Sequence, residues 1–64
     1  MYKIIETSEG RLTEKEVRTK AEAMQTMRRA ARAARAFGIR SRIEIEKDGK
    51  VIDSRTTSGT KYAR

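Results

Sequence analysis

The sequence predicts an α+β domain of ββαββ order, in which a four-stranded antiparallel sheet carries one long helix packed across one face. Three observations lead there. Residues 19–38 are filled with strong helix formers (Ala, Met, Arg, Gln, Lys and Glu). Residues 39–47 (Ile-Arg-Ser-Arg-Ile-Glu-Ile-Glu-Lys) alternate apolar with polar at the period of a half-buried strand. Between that run and the β-prone run 50–57 stands Asp48-Gly49, the pair that favours positive φ at both centres of a type I′ hairpin turn.

The helix organises the rest. Thr19 and Glu22 have capping-box spacing, each side chain offering an oxygen to an orphan backbone N–H. Gly38 suits the left-handed residue beyond the end, and in a Schellman ending Ile39 would fold back on Ala34. At about 100° per residue, Ala23, Met24, Met27, Ala30, Ala31, Ala34 and Phe37 fall within an arc of roughly 140°. A stripe so rich in alanine lets the helix approach its partner surface closely. A competing start exists at Thr13, with Glu16 at capping-box spacing and Leu12 and Val17 at the staple positions. That start would put Lys20 inside the apolar arc and lengthen the helix to about 36 Å, beyond strands of ordinary length. The later start is preferred.

Residues 2–7 (Tyr-Lys-Ile-Ile-Glu-Thr) read as a strand and Ser8-Glu9-Gly10 as a turn. In residues 11–18, Leu12 and Val17 would face opposite sides of a regular strand, so this run is either bulged or an exposed edge. A four-residue loop would set Tyr2 opposite Val17 and Lys3 opposite Glu16. In the second hairpin, a two-residue turn sets Lys47 opposite Lys50 and Ile45 opposite Ile52, so Ile43, Ile45 and Ile52 would meet the helix. Arg40, Arg42 and Arg55 would share the uncovered face with Glu44, Glu46 and Asp53, and Ile5 and Val51 could lie there too. Residues 1–58 are read as a single domain and residues 59–64 as a polar tail.

Thr19, Lys20, Ala21, Glu22 and Ala23, then Ala30, Ala34 and Gly38, then Asp48-Gly49-Lys50-Val51 and Ser58-Gly59, form a pattern that resembles a family of short, uncharacterised bacterial proteins. The resemblance implies a hairpin–helix–hairpin domain and carries no functional residues with it. That family tends to have an aromatic in its second strand, and residues 11–18 have none.

Composition narrows function. The chain has no Cys and no His, which removes disulfides, the commonest metal ligand and the commonest general base. No Ser or Thr stands with a base to activate it, so no catalytic residue, cofactor or metal is expected. No apolar run approaches the ~20 residues of a membrane span and no secretory leader is visible, so a cytoplasmic protein with no membrane partner is expected. With only 64 residues, of which 36% are hydrophobic, the core is small, and homodimer formation is an ordinary way to reinforce it.

Sixteen Lys and Arg against nine Asp and Glu give a formal charge of +7. Such a balance points to an anionic partner, with nucleic acid, DNA or RNA, first and an acidic protein surface as the alternative. Arg28, Arg32 and Arg35 recur at one-turn spacing with Arg29 beside them, so these four are the candidate nucleic-acid-binding residues. The alternative is an interaction module or small regulator without nucleic-acid binding, for which these arginines are a solvated helix face. Tyr2 and Tyr62 are too few and too far apart for a base-stacking platform.

Overall fold

The computed structural model describes residues 1–57; the expected polar tail, Tyr62 included, lies outside them. The elements are β1 (Tyr2–Ser8), β2 (Arg11–Val17), α1 (Lys20–Ala36), β3 (Ser41–Lys47) and β4 (Lys50–Thr57). They form one antiparallel four-stranded sheet in the order β2-β1-β3-β4, with α1 against one face. Each hairpin contributes one central and one edge strand. Because β1 is antiparallel to both β2 and β3, those two run the same way, and α1 is the crossover that carries the chain past β1.

The helix begins where its cap dictates. Thr19 is extended (φ −121°, ψ 156°) and its hydroxyl oxygen accepts from the Glu22 backbone N–H at 3.1 Å. The reciprocal half of the expected box takes another form: the Glu22 carboxylate accepts from the Thr19 hydroxyl at 3.4 Å. The helix ends as a Schellman motif. Gly38 has φ +67°, Ile39 N–H donates to Ala34 C=O at 2.8 Å, and Gly38 N–H donates to Arg35 C=O at 3.1 Å.

Both hairpins close on two residues with positive φ: Glu9 (49°) with Gly10 (79°), and Asp48 (54°) with Gly49 (78°). These are the type I′ signs, whose twist matches that of the strands. In the first hairpin Tyr2 pairs with Val17 and Lys3 with Glu16 as expected, but the loop is two residues rather than four, because Ser8 and Arg11 also pair. Strand β2 is regular and lies at the sheet edge: Val17 is buried toward the helix and Leu12 is exposed on the other face.

The second hairpin corrects the expected register. Lys47 pairs with Lys50 and Glu46 with Val51, but a bulge then intervenes and Ile45 lies opposite Asp53, not Ile52. Ile52 has no partner in the ladder and is 45% exposed. The shift brings Asp53, Arg55 and Thr57 to the helix side, so Arg55 and Asp53 do not share the uncovered face as the alternation implied. Arg55, half-buried, now stands opposite Ile43, whose apolar surface its methylene stem is suited to cover. A bulge is tolerated here because β4 is an edge strand, and it twists an otherwise open edge away from further pairing.

The core is Ile4, Val17, Ala23, Met27, Ala31, Ile43 and Ile45, with Tyr2, Met24 and Ala30 packed around it. Phe37 departs from the expected arc. As the C-cap residue (φ −94°, ψ 0°) it has left helical geometry, and it is 70% exposed. One end of the core is polar: Thr57 Oγ1 accepts from Ser41 N–H and donates to Ile39 C=O, both at 3.0 Å, while Ser41 Oγ donates to Glu6 at 3.0 Å. These bonds satisfy the buried Ser41 and Thr57.

Two stability outcomes follow from this packing. Ile52→Thr is expected to change the denaturant midpoint by no more than the equivalent of about 0.5 kcal/mol, whereas Ile45→Ala should cost about 2–5 kcal/mol and leave little folded protein. Equal losses at both positions would restore the unbulged register. Ala31, fully buried under the helix, leaves no room for added volume, so Ala31→Leu should lower the thermal midpoint by the equivalent of about 1–3 kcal/mol.

Candidate nucleic-acid interface

The helix presents its basic residues away from the buried stripe. Ala23, Met27, Ala31 and Ala34 are buried, and Gln25, Arg28, Arg29, Arg32 and Arg35 are all exposed. At about 100° per residue these five exposed positions span roughly 120° of the helix surface. Arg28 and Arg35 fall on one flank of that arc, Arg29 on the other, and Arg32 between them. Gln25, Arg28, Arg29 and Arg32 line a single shallow depression of about 220 Å³. Arg35 continues the row into the last turn, where its charge also faces the negative end of the helix dipole.

Among the described residues, none of these arginines is in an ion pair. Among the described residues the ion pairs are Lys3–Glu14 at 4.0 Å and Arg42–Glu44 at 3.1 Å, and neither involves the helix. The helix holds one acidic residue, Glu22, against Lys20 and the four arginines. Like charges at i and i+4, as at Arg28 and Arg32, work against an isolated helix by a few tenths of a kcal/mol.

Other cations extend the basic side unevenly. A groove of about 390 Å³ between the start of α1 and the end of β2 brings Lys15 and Arg18 beside Arg29, with Glu16 and Glu22 also on its walls. Lys15 and Arg18 escaped the sequence reading because a strand residue and a linker residue join the helix face only once the sheet order is known. Lys3 goes the other way: its register with Glu16 and Glu46 sets it on the sheet face that α1 leaves open, so it does not extend the helix patch. Arg42 lies on that open face as well, bound to Glu44.

Among the described residues no group of three or more His, Cys, Asp or Glu side chains is placed to hold a metal ion. No helix among them is long and apolar enough to cross a membrane. Comparison with protein-family models, curated proteins and solved structures finds no match to this chain. The functional reading accordingly rests on the geometry of the helix face.

Arg28, Arg32 and Arg35 are exposed, and among the described residues none of them is in an ion pair. Replacing all three with Gln, itself a good helix former, should leave the circular dichroism spectrum unchanged and the unfolding free energy within about 0.5 kcal/mol of the parent. A cooperative loss of structure would assign these residues to folding instead.

Proposed function

We propose that this protein binds nucleic acid through phosphate contacts from the exposed face of α1, with Arg28, Arg29, Arg32 and Arg35 as the contacting residues. The observation that carries the reading is a row of exposed guanidiniums with no internal carboxylate partner among the described residues. Neighbours on such a row stand about 5–6 Å apart, of the same order as the step between phosphates along a strand. Each guanidinium can offer two parallel N–H donors to one phosphate. The two faces of the molecule differ in sign, which supports a single docking orientation. The open sheet face carries Glu14, Glu16, Glu44 and Glu46 against Lys3 and Arg42, so it repels the polyanion that the helix attracts.

Contacts of this kind fix position and carry no base information. Affinity should therefore be similar on unrelated sequences. With about three to four phosphates neutralised, log affinity should fall against log salt with a slope of about −2.7 to −3.6 on duplex DNA. Fluorescence anisotropy across a salt series measures this. Converting Arg28, Arg32 and Arg35 to Gln should flatten the slope to about −1. Absence of any anisotropy change with duplex DNA, duplex RNA or single strands at about 50 mM salt, where phosphate contacts are strong, would refute the reading.

A further inference from the structure

We infer that the open face of the sheet receives the arginine face of α1 from a second copy of this chain, so that copies stack head to tail with sheet and helix layers alternating. The register places three cross-strand rows on the open face, read from β2 to β4: Glu16, Lys3, Glu46, Val51; Glu14, Ile5, Glu44, Ser54; and Leu12, Thr7, Arg42, Thr56. Lys3 pairs with Glu14 and Arg42 with Glu44, which leaves Glu16 and Glu46 with no ion pair among the described residues. Half-buried Ile5 lies at the centre, and Leu12 and Val51 are exposed toward the two edges. Along its middle, β1 thus contributes Ile5 between Lys3 and Thr7, and the strands on either side carry the four carboxylates.

Its spacing fits a helix. The carboxylates stand on β2 and β3, two strand spacings apart, or about 9.6 Å, close to the width of one helix. A helix laid along β1 would have Glu14 and Glu16 on one flank and Glu44 and Glu46 on the other. The arginine face of α1 has the matching arrangement, with Arg28 and Arg35 on one flank and Arg29 on the opposite one. The 17 residues of α1 span about 25 Å, comparable with a seven-residue strand.

Charge selects this occupant over the others. Two copies joined sheet to sheet would bring four carboxylates against four, with only two cations on each side. Nucleic acid is repelled from this face for the same reason. Among the described residues, the exposed arginine face of α1 is a surface of the opposite sign. Because donor and acceptor surfaces differ, the contact is heterologous and does not close, so growth is open-ended. The attraction is between charges at the surface, so association is weak and salt-sensitive. Stacking does not depend on the nucleic-acid reading, although both use α1 and would compete.

Sedimentation velocity on nuclease-treated protein tests this. The weight-average mass should rise with protein concentration at about 25 mM salt and return to that of the monomer at about 500 mM, where screening is short-ranged. Two variants then separate donor from acceptor. The helix variant carries Arg28, Arg29, Arg32 and Arg35→Gln. The sheet variant carries Glu16→Lys and Glu46→Lys, which spares both ion pairs; should it fail to fold by circular dichroism, Glu16→Gln with Glu46→Gln replaces it. Each variant alone should be monomeric at low salt, and an equimolar mixture should form a one-to-one dimer and nothing larger. A mixture that stays monomeric, or a single variant that associates like the parent, overturns the inference. Loss of nucleic-acid binding alone would leave this mass measurement unchanged, so the two readings fail separately.

Discussion

Met27 is the one large helix side chain that is wholly buried, and it shares a cluster with Ile43 and Ile45, the only large apolar sheet residues buried to the same degree. The rest of the helix contribution is alanine: Ala23, Ala31 and Ala34. Alanine supplies little transfer free energy per residue but allows the helix backbone to lie close over the sheet, where the few larger groups can reach one another. The whole fold depends on this closeness. With the stability of so small a core limited to about 3–5 kcal/mol, the caps, both type I′ turns and the Thr57–Ser41 hydrogen bonds each become a sizeable share of what keeps the chain folded.

Function, on the reading proposed above, draws on what the core does not use. A helix that needs only one apolar stripe leaves its other side unconstrained, and here that side holds arginine. The sheet likewise needs only one face. The strand period sends alternate residues outward, and on β2 and β3 the outward residues are Glu14, Glu16, Glu44 and Glu46 with Leu12 and Arg42. Binary patterning thus supplies two outward polar surfaces, and the choice of arginine on the helix and mostly glutamate on the sheet gives them opposite sign.

That division also explains what could be read from the chain. The helix limits, its two caps, the two hairpins and the first register were legible because each rests on local chemistry: Thr19 before a helical run, Gly38 after it, Glu9-Gly10 and Asp48-Gly49 between β-prone runs. The bulge at Ile52 was not. Unbroken alternation through residues 50–57 is the default, and the residue that gains from the shift, Arg55 opposite Ile43, gives no local sign of it. Phe37 was misplaced because the helical wheel was carried one residue past the point where the backbone leaves helical angles. Three of the four candidate arginines could be grouped from spacing alone. Their relation to Lys15 and Arg18 needed the strand order, which no local pattern encodes.

The strand order has a kinetic consequence. Both hairpins and the helix are built from neighbours in sequence and can form independently, on microsecond timescales. The pairing of β1 with β3 is different in kind: it joins residues from Ser8 with Ser41 out to Lys3 with Glu46, separations of 33 to 43 positions. Closing that distance is slow relative to local events because chain entropy is lost before contacts are gained. The central seam of the sheet is thus where the fold spends most chain entropy, and the crossover helix shortens the distance to be closed by replacing flexible chain with a rigid span.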